Sequence, residues 1–297
     1  MHDFDAVTLA ALAFDANWLA DLRARASQPP LRPRVSLLAG PDAVGSVLPY
    51  LMHQIDLWPS SSMHSLLLKE EYQTSDSLKR EAWRIQGDVS TTLHTLARTL
   101  RDANIGHVAR YWRNELLAVH NAHGQLVGQL ERGAVRILGI ATRAVHLVGW
   151  SADGRIWVQQ RALDKANDPG LWDTLMGGMV SARDTVDTAL RRETWEEAGL
   201  QLDALGAVQR GGSFTVRRPT GEPDDGGEPD GIGYMVEDTD WYHCTVPEGV
   251  VPVNQDGEVA QFLLLTPDEL VDRLHRSEFT LEAALVLVAA LGASLRS

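Results

Sequence analysis

Residues 178–200 read GMVSARDTVDTALRRETWEEAGL and place three glutamates, Glu193, Glu196 and Glu197, near the end of a segment with helical spacing. An α-helix turns roughly 100° per residue, so with the apolar Val186 at 0° these glutamates fall at about −20°, −80° and +20°. All three therefore extend the side of the helix that its apolar residues turn toward the core. A solvated acidic surface, the alternative interpretation, would place them on the opposite side.

Carboxylates that face inward need a positive charge nearby, because burying ionised groups without a partner is unfavourable. Arg192 supplies one such charge. Oxygen ligands of this kind suit Mg²⁺ or Mn²⁺, which bind carboxylates, water and phosphate oxygens. The spacing therefore favours a metal site over a solvated acidic face.

The same stretch resembles the signature of the Nudix hydrolases. That signature is a glycine, five residues of any kind, a glutamate, seven of any kind, and then Arg-Glu-aliphatic-any-Glu-Glu-any-Gly-aliphatic. Seven of the nine fixed positions agree here, namely Gly178, Arg192, Glu193, Glu196, Glu197, Gly199 and Leu200. Asp184 stands in place of the first glutamate, and Thr194 stands in place of the first aliphatic residue.

The resemblance implies a β-sheet sandwiched by helices, with the signature as a loop–helix–loop. It implies Glu193, Glu196 and Glu197 as Mg²⁺ (or Mn²⁺) ligands, together with the backbone carbonyl at Gly177. Arg192 would orient the acidic cluster, and Arg192, Glu193 and Glu196 are predicted to be catalytic. Metals held there would neutralise a diphosphate, activate a water and stabilise the leaving phosphate. The expected activity is hydrolysis of a diphosphate linkage in a small organic or nucleoside diphosphate.

The two departures from the signature leave the three helix glutamates untouched, so an active enzyme is expected. Asp184 is predicted to be the N-cap of the helix, with Asp187 three residues later. Thr194 has the shape of valine, so it is predicted to pack in place of the aliphatic residue.

A longer part of the chain, roughly residues 85–270, resembles the Nudix proteins related to thiamine pyrophosphokinase. These proteins carry an N-terminal domain of unknown function. The matching stretches include Trp112–Leu116 (WRNEL), Glu131–Ala134 (ERGA) and the segment VPVNQDGEVAQFLLLTPDEL. The resemblance implies thiamine diphosphate or its oxidised analogues, cleaved to the monophosphate, as candidate substrates.

Four further residues are candidates for the site. Glu258 falls where many Nudix enzymes have another acid, either as general base or as metal ligand, or it is a surface glutamate at a strand end. Arg161 and Lys165 are candidates for binding the distal phosphate, with solvated loop charges as the alternative. Trp172 is a candidate for packing on a heteroaromatic ring, and a core or loop-anchoring role fits it equally.

Other features are interpreted structurally. Arg113, Glu115 and Arg132 are predicted to form an ion-pair network between domains rather than to contact substrate, and His146 is predicted to be a hydrogen-bonded core histidine. The loop before the signature also resembles isopentenyl-diphosphate isomerases, but these need a cysteine where this chain has Gly177. A Nudix domain that only senses a nucleotide or binds a partner remains an alternative.

Composition limits the class of partner. A net charge of −13 argues against nucleic acids and anionic membranes, whereas a small-molecule diphosphate is compatible because a bound metal reverses the local potential. The single cysteine, Cys244, is predicted to be buried and excludes an intramolecular disulfide framework or a multi-cysteine zinc site. No signal peptide or membrane span is recognisable, so a cytoplasmic location is expected. The oligomeric state is left open, with a homodimer as one option.

The order of predicted elements indicates an α+β protein of two domains. Residues 1–138 are predicted to form a smaller α+β domain, with helices near 6–26 and 88–104, and residues 139–297 a Nudix α/β/α sandwich with a mixed sheet. The Gly- and Pro-rich segment 219–233 is predicted to be a mobile loop.

Overall fold

The computed structural model describes residues 14–56, 66–73, 79–221 and 230–292. Within these described residues, the N-terminal half contains four α-helices and six strands. They are α1 (Ala16–Ala26), β1 (Val35–Ala39), β2 (Asp42–Val47), α2 (Pro49–Asp56), β3 (Leu67–Gln73), β4 (Lys79–Ile85), α3 (Val89–Asp102), α4 (Val108–Tyr111), β5 (Leu116–His120) and β6 (Leu126–Glu131).

Four of these strands form a sheet in the order β2-β1-β4-β3, in which β1 and β4 are parallel. Strands β5 and β6 form a separate antiparallel hairpin, against which α3 packs. The helix predicted over 88–104 runs from Val89 to Asp102, since the Asp88 side chain accepts the Thr91 N–H at 2.8 Å and caps it. Leu93 and Leu130 belong to the core that joins α3 to the hairpin.

The C-terminal half contains a seven-stranded sheet and three helices. They are β7 (Thr142–Ser151), β8 (Ile156–Arg161), β9 (Trp172–Asp173), β10 (Met176–Met179), α5 (Val186–Ala198), β11 (Gly206–Thr220), β12 (Gly233–Val246), β13 (Val259–Leu265), α6 (Pro267–His275) and α7 (Leu281–Ala290). The order is β11-β12-β7-β8-β13, with β10 paired to β7 and β9 paired to β8. The sheet is mixed because β7 and β12 are parallel while the other pairs are antiparallel.

A separate hydrophobic core covers each face of this sheet. This confirms the predicted α/β/α sandwich, which follows a smaller α+β part along the chain. On one side Val145 packs with Leu190 of α5. On the other side Val148 packs with Leu287 of α7 and also with Leu22 of α1. Helix α1 thus contributes to the core of the C-terminal half, and the boundary between residues 138 and 139 stays a prediction.

Two predicted segments extend beyond the described residues. The helix predicted near 6–26 is seen from Ala16 to Ala26, and residues 6–13 lie outside the described part. Strands β11 and β12 extend into the segment 219–233 that was predicted to be a mobile loop, because β11 ends at Thr220 and β12 begins at Gly233. Residues 222–229 of this segment lie outside the described part. Within the described ranges, no helix is long and apolar enough to cross a membrane.

Candidate active site

Helix α5 carries the three signature glutamates, and its start differs from the prediction. Thr185, not Asp184, is the N-cap: its side chain accepts the Thr188 N–H, and the Thr188 hydroxyl accepts the Thr185 N–H at 2.8 Å. Asp184 instead receives Arg192 Nη2 at 2.8 Å and the Ser181 hydroxyl at 3.0 Å. The prediction for Asp184 is therefore wrong, and the residue acts as a partner of the signature arginine.

The end of α5 is set by Gly199, whose φ of 64° is the left-handed conformation that glycine adopts without strain. A Cβ there would lie 2.6 Å from the carbonyl oxygen of Val253, so a side chain would not fit. Thr194 is fully buried, as predicted, and donates its hydroxyl to the Leu190 carbonyl at 2.6 Å.

The three glutamates differ in burial although they share one side of the helix. The Glu193 side chain is 13% exposed and that of Glu196 is 41% exposed, whereas Glu197 is buried. Glu193 and Glu197 line a cleft, while Glu196 lies outside its lining and receives Arg192 Nη1 at 2.8 Å. The angle of about −80° puts Glu196 at the edge of the inward side, which accounts for its exposure.

Glu197 is held by two donors that bind the same oxygen. Its Oε2 accepts Gln159 Nε2 at 2.7 Å and the backbone N–H of Gly177 at 3.0 Å. Burial raises the pKa of Glu197 to about 8, and the negative charge of Glu193 adds to this rise. The two donors oppose the rise without cancelling it.

Glu193 lies directly against the backbone of strand β10. A Cβ on Gly178 would overlap the Glu193 carboxyl group, so the signature glycine makes room for that side chain. Burial raises the pKa of Glu193 to about 7, although Arg192 Nη1 lies 2.9 Å away. This arginine is shared with Asp184 and Glu196, so it does not balance Glu193 alone.

These carboxylates fit a divalent cation by their chemistry. Glu197 is buried and Glu193 is partly buried, and burial raises the pKa of both carboxyl groups, so a cation beside these oxygen donors would stabilise their ionised form. Across the described ranges, no group of three or more His, Cys, Asp or Glu side chains is arranged as a metal site. The predicted set of Gly177, Glu193, Glu196 and Glu197 is brought together only in part, because Glu196 is drawn to Arg192.

A second buried acid in the cleft, Asp173, has its charge balanced. Its carboxylate oxygens lie 3.4 Å from His146 Nδ1 and 3.4 Å from Arg161 Nη1. Burial alone would raise the pKa of Asp173, but the hydrogen bond and charge of His146, with the charge of Arg161, lower it overall. His146 is buried and also lies 3.0 Å from the Thr174 hydroxyl, as expected for a hydrogen-bonded core histidine.

Three of the four additional candidates, Arg161, Lys165 and Glu258, line the same cleft. The Lys165 ammonium and the Glu258 carboxylate form an ion pair with each other. Burial acts to raise the pKa of Glu258, but the hydrogen bond and charge of Lys165 lower it overall, so this carboxylate is ionised and a weak base while paired.

Trp172 does not reach the cleft. Its side chain is buried in the core between the sheet and α7, where the Arg273 guanidinium lies 5.1 Å from its ring centre. Its N–H and carbonyl bond to Glu278 and Thr280. The structure thus places Trp172 in the core and anchoring position, which was the alternative to packing on a substrate ring.

Two of the cleft residues that sequence reasoning missed, or interpreted otherwise, come from before the sheet. Arg132 and Arg136 lie in the turn after β6, and both line the cleft. Arg136 Nη1 donates to Asn167 Oδ1 at 3.0 Å, in the loop that carries Lys165. The only signal in the sequence was the ERGA stretch that resembles related proteins.

The sequence model of the NUDIX domain matches residues 141–285, which contain the sheet, the signature helix and most of the cleft. The carboxylates of Glu193 and Glu197, with the Gly177 N–H bonded to Glu197, lie within the matched residues.

Relatives of the Nudix domain differ in how much of the chain they match. An uncharacterised protein of Saccharomyces cerevisiae is 24% identical over 82% of this chain and 72% of its own length. Nudix hydrolase 20, chloroplastic, of Arabidopsis thaliana is 28% identical over 56% of this chain. An uncharacterised Nudix hydrolase of Pseudomonas aeruginosa is 34% identical over 35%. The chain spans 43% and 60% of the lengths of these two hydrolases.

Among solved structures, the Deinococcus radiodurans protein DR0079 aligns with a TM-score of 0.45 and 24% identity. The alignment covers 58% of this chain and 98% of that protein.

Proposed function

We propose that the chain hydrolyses the diphosphate linkage of a small organic or nucleoside diphosphate with Mg²⁺ (or Mn²⁺). The observation that carries this proposal is the pair of inward-facing carboxylates, Glu193 and Glu197, which share too little positive charge in a cleft that also contains Arg161 and Lys165. Such a cleft suits a ligand that arrives as a metal–diphosphate, because its cation balances the carboxylates and its phosphate oxygens meet the basic residues.

The residues of the chain have distinct tasks in this reaction. Glu193 and Glu197, with the Gly177 carbonyl and Glu196, would hold the metal, which supplies charge neutralisation and activates water when bound. Gln159 and the Gly177 N–H orient Glu197 through their bonds to Oε2.

Basic residues position the substrate and restrain the catalytic groups. Arg161 and Lys165 would bind phosphate oxygens, and Arg192 keeps the signature loop and helix together through Asp184. Glu258 would accept a proton once phosphate has drawn Lys165 away, since the paired carboxylate is a weak base.

Thiamine diphosphate and its oxidised analogues are the candidate substrates, cleaved to the monophosphate. Support comes from the resemblance of roughly residues 85–270 to the Nudix proteins related to thiamine pyrophosphokinase.

The test is release of phosphate or monophosphate from a panel containing thiamine diphosphate, its oxo and oxy analogues, ADP-ribose and NADH. Turnover should require Mg²⁺ or Mn²⁺ and disappear with chelator. Glu196→Gln should reduce turnover about a hundredfold while circular dichroism stays unchanged. If no compound is turned over with either metal, the hydrolase proposal is rejected in favour of a domain that only senses a diphosphate.

A further inference from the structure

The cleft contains several basic side chains, and Arg132 differs from the others in the position of its partner. Lys165, Arg161 and Arg218 are each paired with an acidic residue that itself lines the cleft. Arg132 is paired with Glu115, which does not line it. Arg132 therefore brings positive charge into the cleft without bringing an equal negative charge.

The position of Arg132 is set by the hairpin β5–β6, which is attached to the signature loop itself. Leu117 of β5 forms a β-bridge with Ser181, and the Ala182 N–H donates to the Leu116 carbonyl at 2.7 Å. The hairpin thus lies beside the segment that leads from Gly178 into α5. A residue at the end of this hairpin is held at a constant distance from the catalytic helix.

Local hydrogen bonds fix the backbone around Arg132. Its N–H donates to the Glu115 carbonyl at 2.9 Å. The buried Glu131 accepts the Arg113 N–H at 2.7 Å and also receives the Gly133 N–H. The turn that presents the arginine is therefore rigid, which lowers the entropy lost when a ligand is bound.

The guanidinium keeps donors available for a ligand. Among the described contacts, Arg132 gives one hydrogen bond, from Nη1 to Glu115 Oε2 at 2.7 Å, whereas a guanidinium has five N–H donors. The side chains of this pair are 37% and 28% exposed, and ion pairs of that kind contribute little stability. The charge of Arg132 also acts to lower the pKa values of Glu193 and Glu258, which places it near both.

We infer that Arg132 binds a phosphate oxygen of the diphosphate, so that the region before the Nudix domain supplies part of the active site. This inference rests on the proposed function, because it presumes a diphosphate ligand in the cleft. Arg136 is less suited to this role, since burial lowers its pKa and the nearby charge of Glu237 opposes its own.

The experiment measures binding separately from turnover. Methylenediphosphonate, which cannot be hydrolysed, is titrated with Mg²⁺ into the full chain by calorimetry. Arg132→Ala should weaken its binding about tenfold or more, because a charge-assisted, forked contact to phosphate is lost. Arg132→Lys keeps the charge but not the fork and should weaken binding severalfold. For any substrate turned over, Arg132→Ala should raise KM more than it lowers kcat.

Arg113→Ala is the matched control, because this guanidinium bonds only backbone carbonyls of Arg110 and Trp112 among the described contacts. It should bind methylenediphosphonate as wild type does. The inference is overturned if both Arg132 variants bind as tightly as the control, or if the wild-type chain does not bind the compound with Mg²⁺. Binding that depends on Arg132 without hydrolysis of any substrate would reject the hydrolase and keep the inference.

Discussion

Two groups of carboxylates among those that line the cleft differ in how their charge is balanced. Asp173 lies 3.4 Å from both His146 and Arg161, and its pKa is lowered. Glu193 and Glu197 share too little positive charge, and their pKa values rise to about 7 and about 8. The charge of the first group is balanced by side chains of the chain itself, whereas the second group is the one proposed to bind a cation.

The largest effect is expected from Glu197→Gln. If Glu197 holds the metal, kcat/KM should fall roughly a hundredfold to a thousandfold. Without metal the variant should be as stable as wild type or more stable, since the substitution removes a charge that is costly to bury. Asp187→Asn, an exposed acid on the same helix, is the control and should retain activity. If Glu197→Gln unfolds more easily than wild type in EDTA, Glu197 is a charge-balanced structural residue like Asp173.

The opposite result is expected from Asp173→Asn. Asparagine has nearly the same shape, but the negative charge that balances His146 and Arg161 would be lost. Breaking a buried ion pair in this way typically costs about 3 kcal/mol or more of unfolding free energy. Urea denaturation in EDTA measures it. If the free energy of unfolding falls by less than about 1 kcal/mol, Asp173 does not balance the charges of His146 and Arg161.

The inward placement of Glu193 and Glu197 could be predicted from the sequence because helical periodicity is a local property of the chain. The wheel placed Glu193 and Glu197 inward, and both line the cleft. It was less accurate for Glu196, at the edge of the inward side, and wrong for Asp184. Asp and Thr are both good N-caps, so the adjacent Thr185 competed with Asp184 for that role, and Asp184 pairs with Arg192 instead.

The balanced cluster could not be predicted from spacing. His146, Arg161 and Asp173 lie on different strands, and they meet because β7 and β8 are neighbours in the sheet and β9 pairs with β8. Arg132 depends in the same way on a bridge between Leu117 and Ser181. Contacts of this kind are set by tertiary pairing, so no local pattern of residue types indicates them.

The pH dependence of stability provides a smaller difference between the two groups. Carboxyl groups with a raised folded-state pKa bind more protons in the folded than in the unfolded protein between about pH 4.5 and 8. Stability in EDTA should therefore fall as pH rises through this range. His146, whose pKa is raised overall by Asp173 despite burial, adds a loss of the same sign. The stability of Glu197→Gln should depend less on pH than that of wild type. In the wild type, saturating Mg²⁺ at pH 8 should restore the stability that is lost in EDTA as the pH rises.

If the profile of Glu197→Gln in EDTA matched that of wild type, the loss would belong to His146 rather than to the unbalanced glutamates. Thermal unfolding at several pH values, with each protein measured with and without Mg²⁺, separates these outcomes.

The smallest effect on stability is expected at the rim, where the Glu258 side chain is 49% exposed and pairs with Lys165. Because solvent screens such a pair, Glu258→Gln should change the free energy of unfolding by less than about 1 kcal/mol. Its activity should nevertheless fall, by roughly a hundredfold if Glu258 is the general base. Rates are measured beside urea denaturation of the same preparation. A large loss of stability with little loss of rate would make Glu258 a structural partner of Lys165, equivalent to Asp173 in the interior.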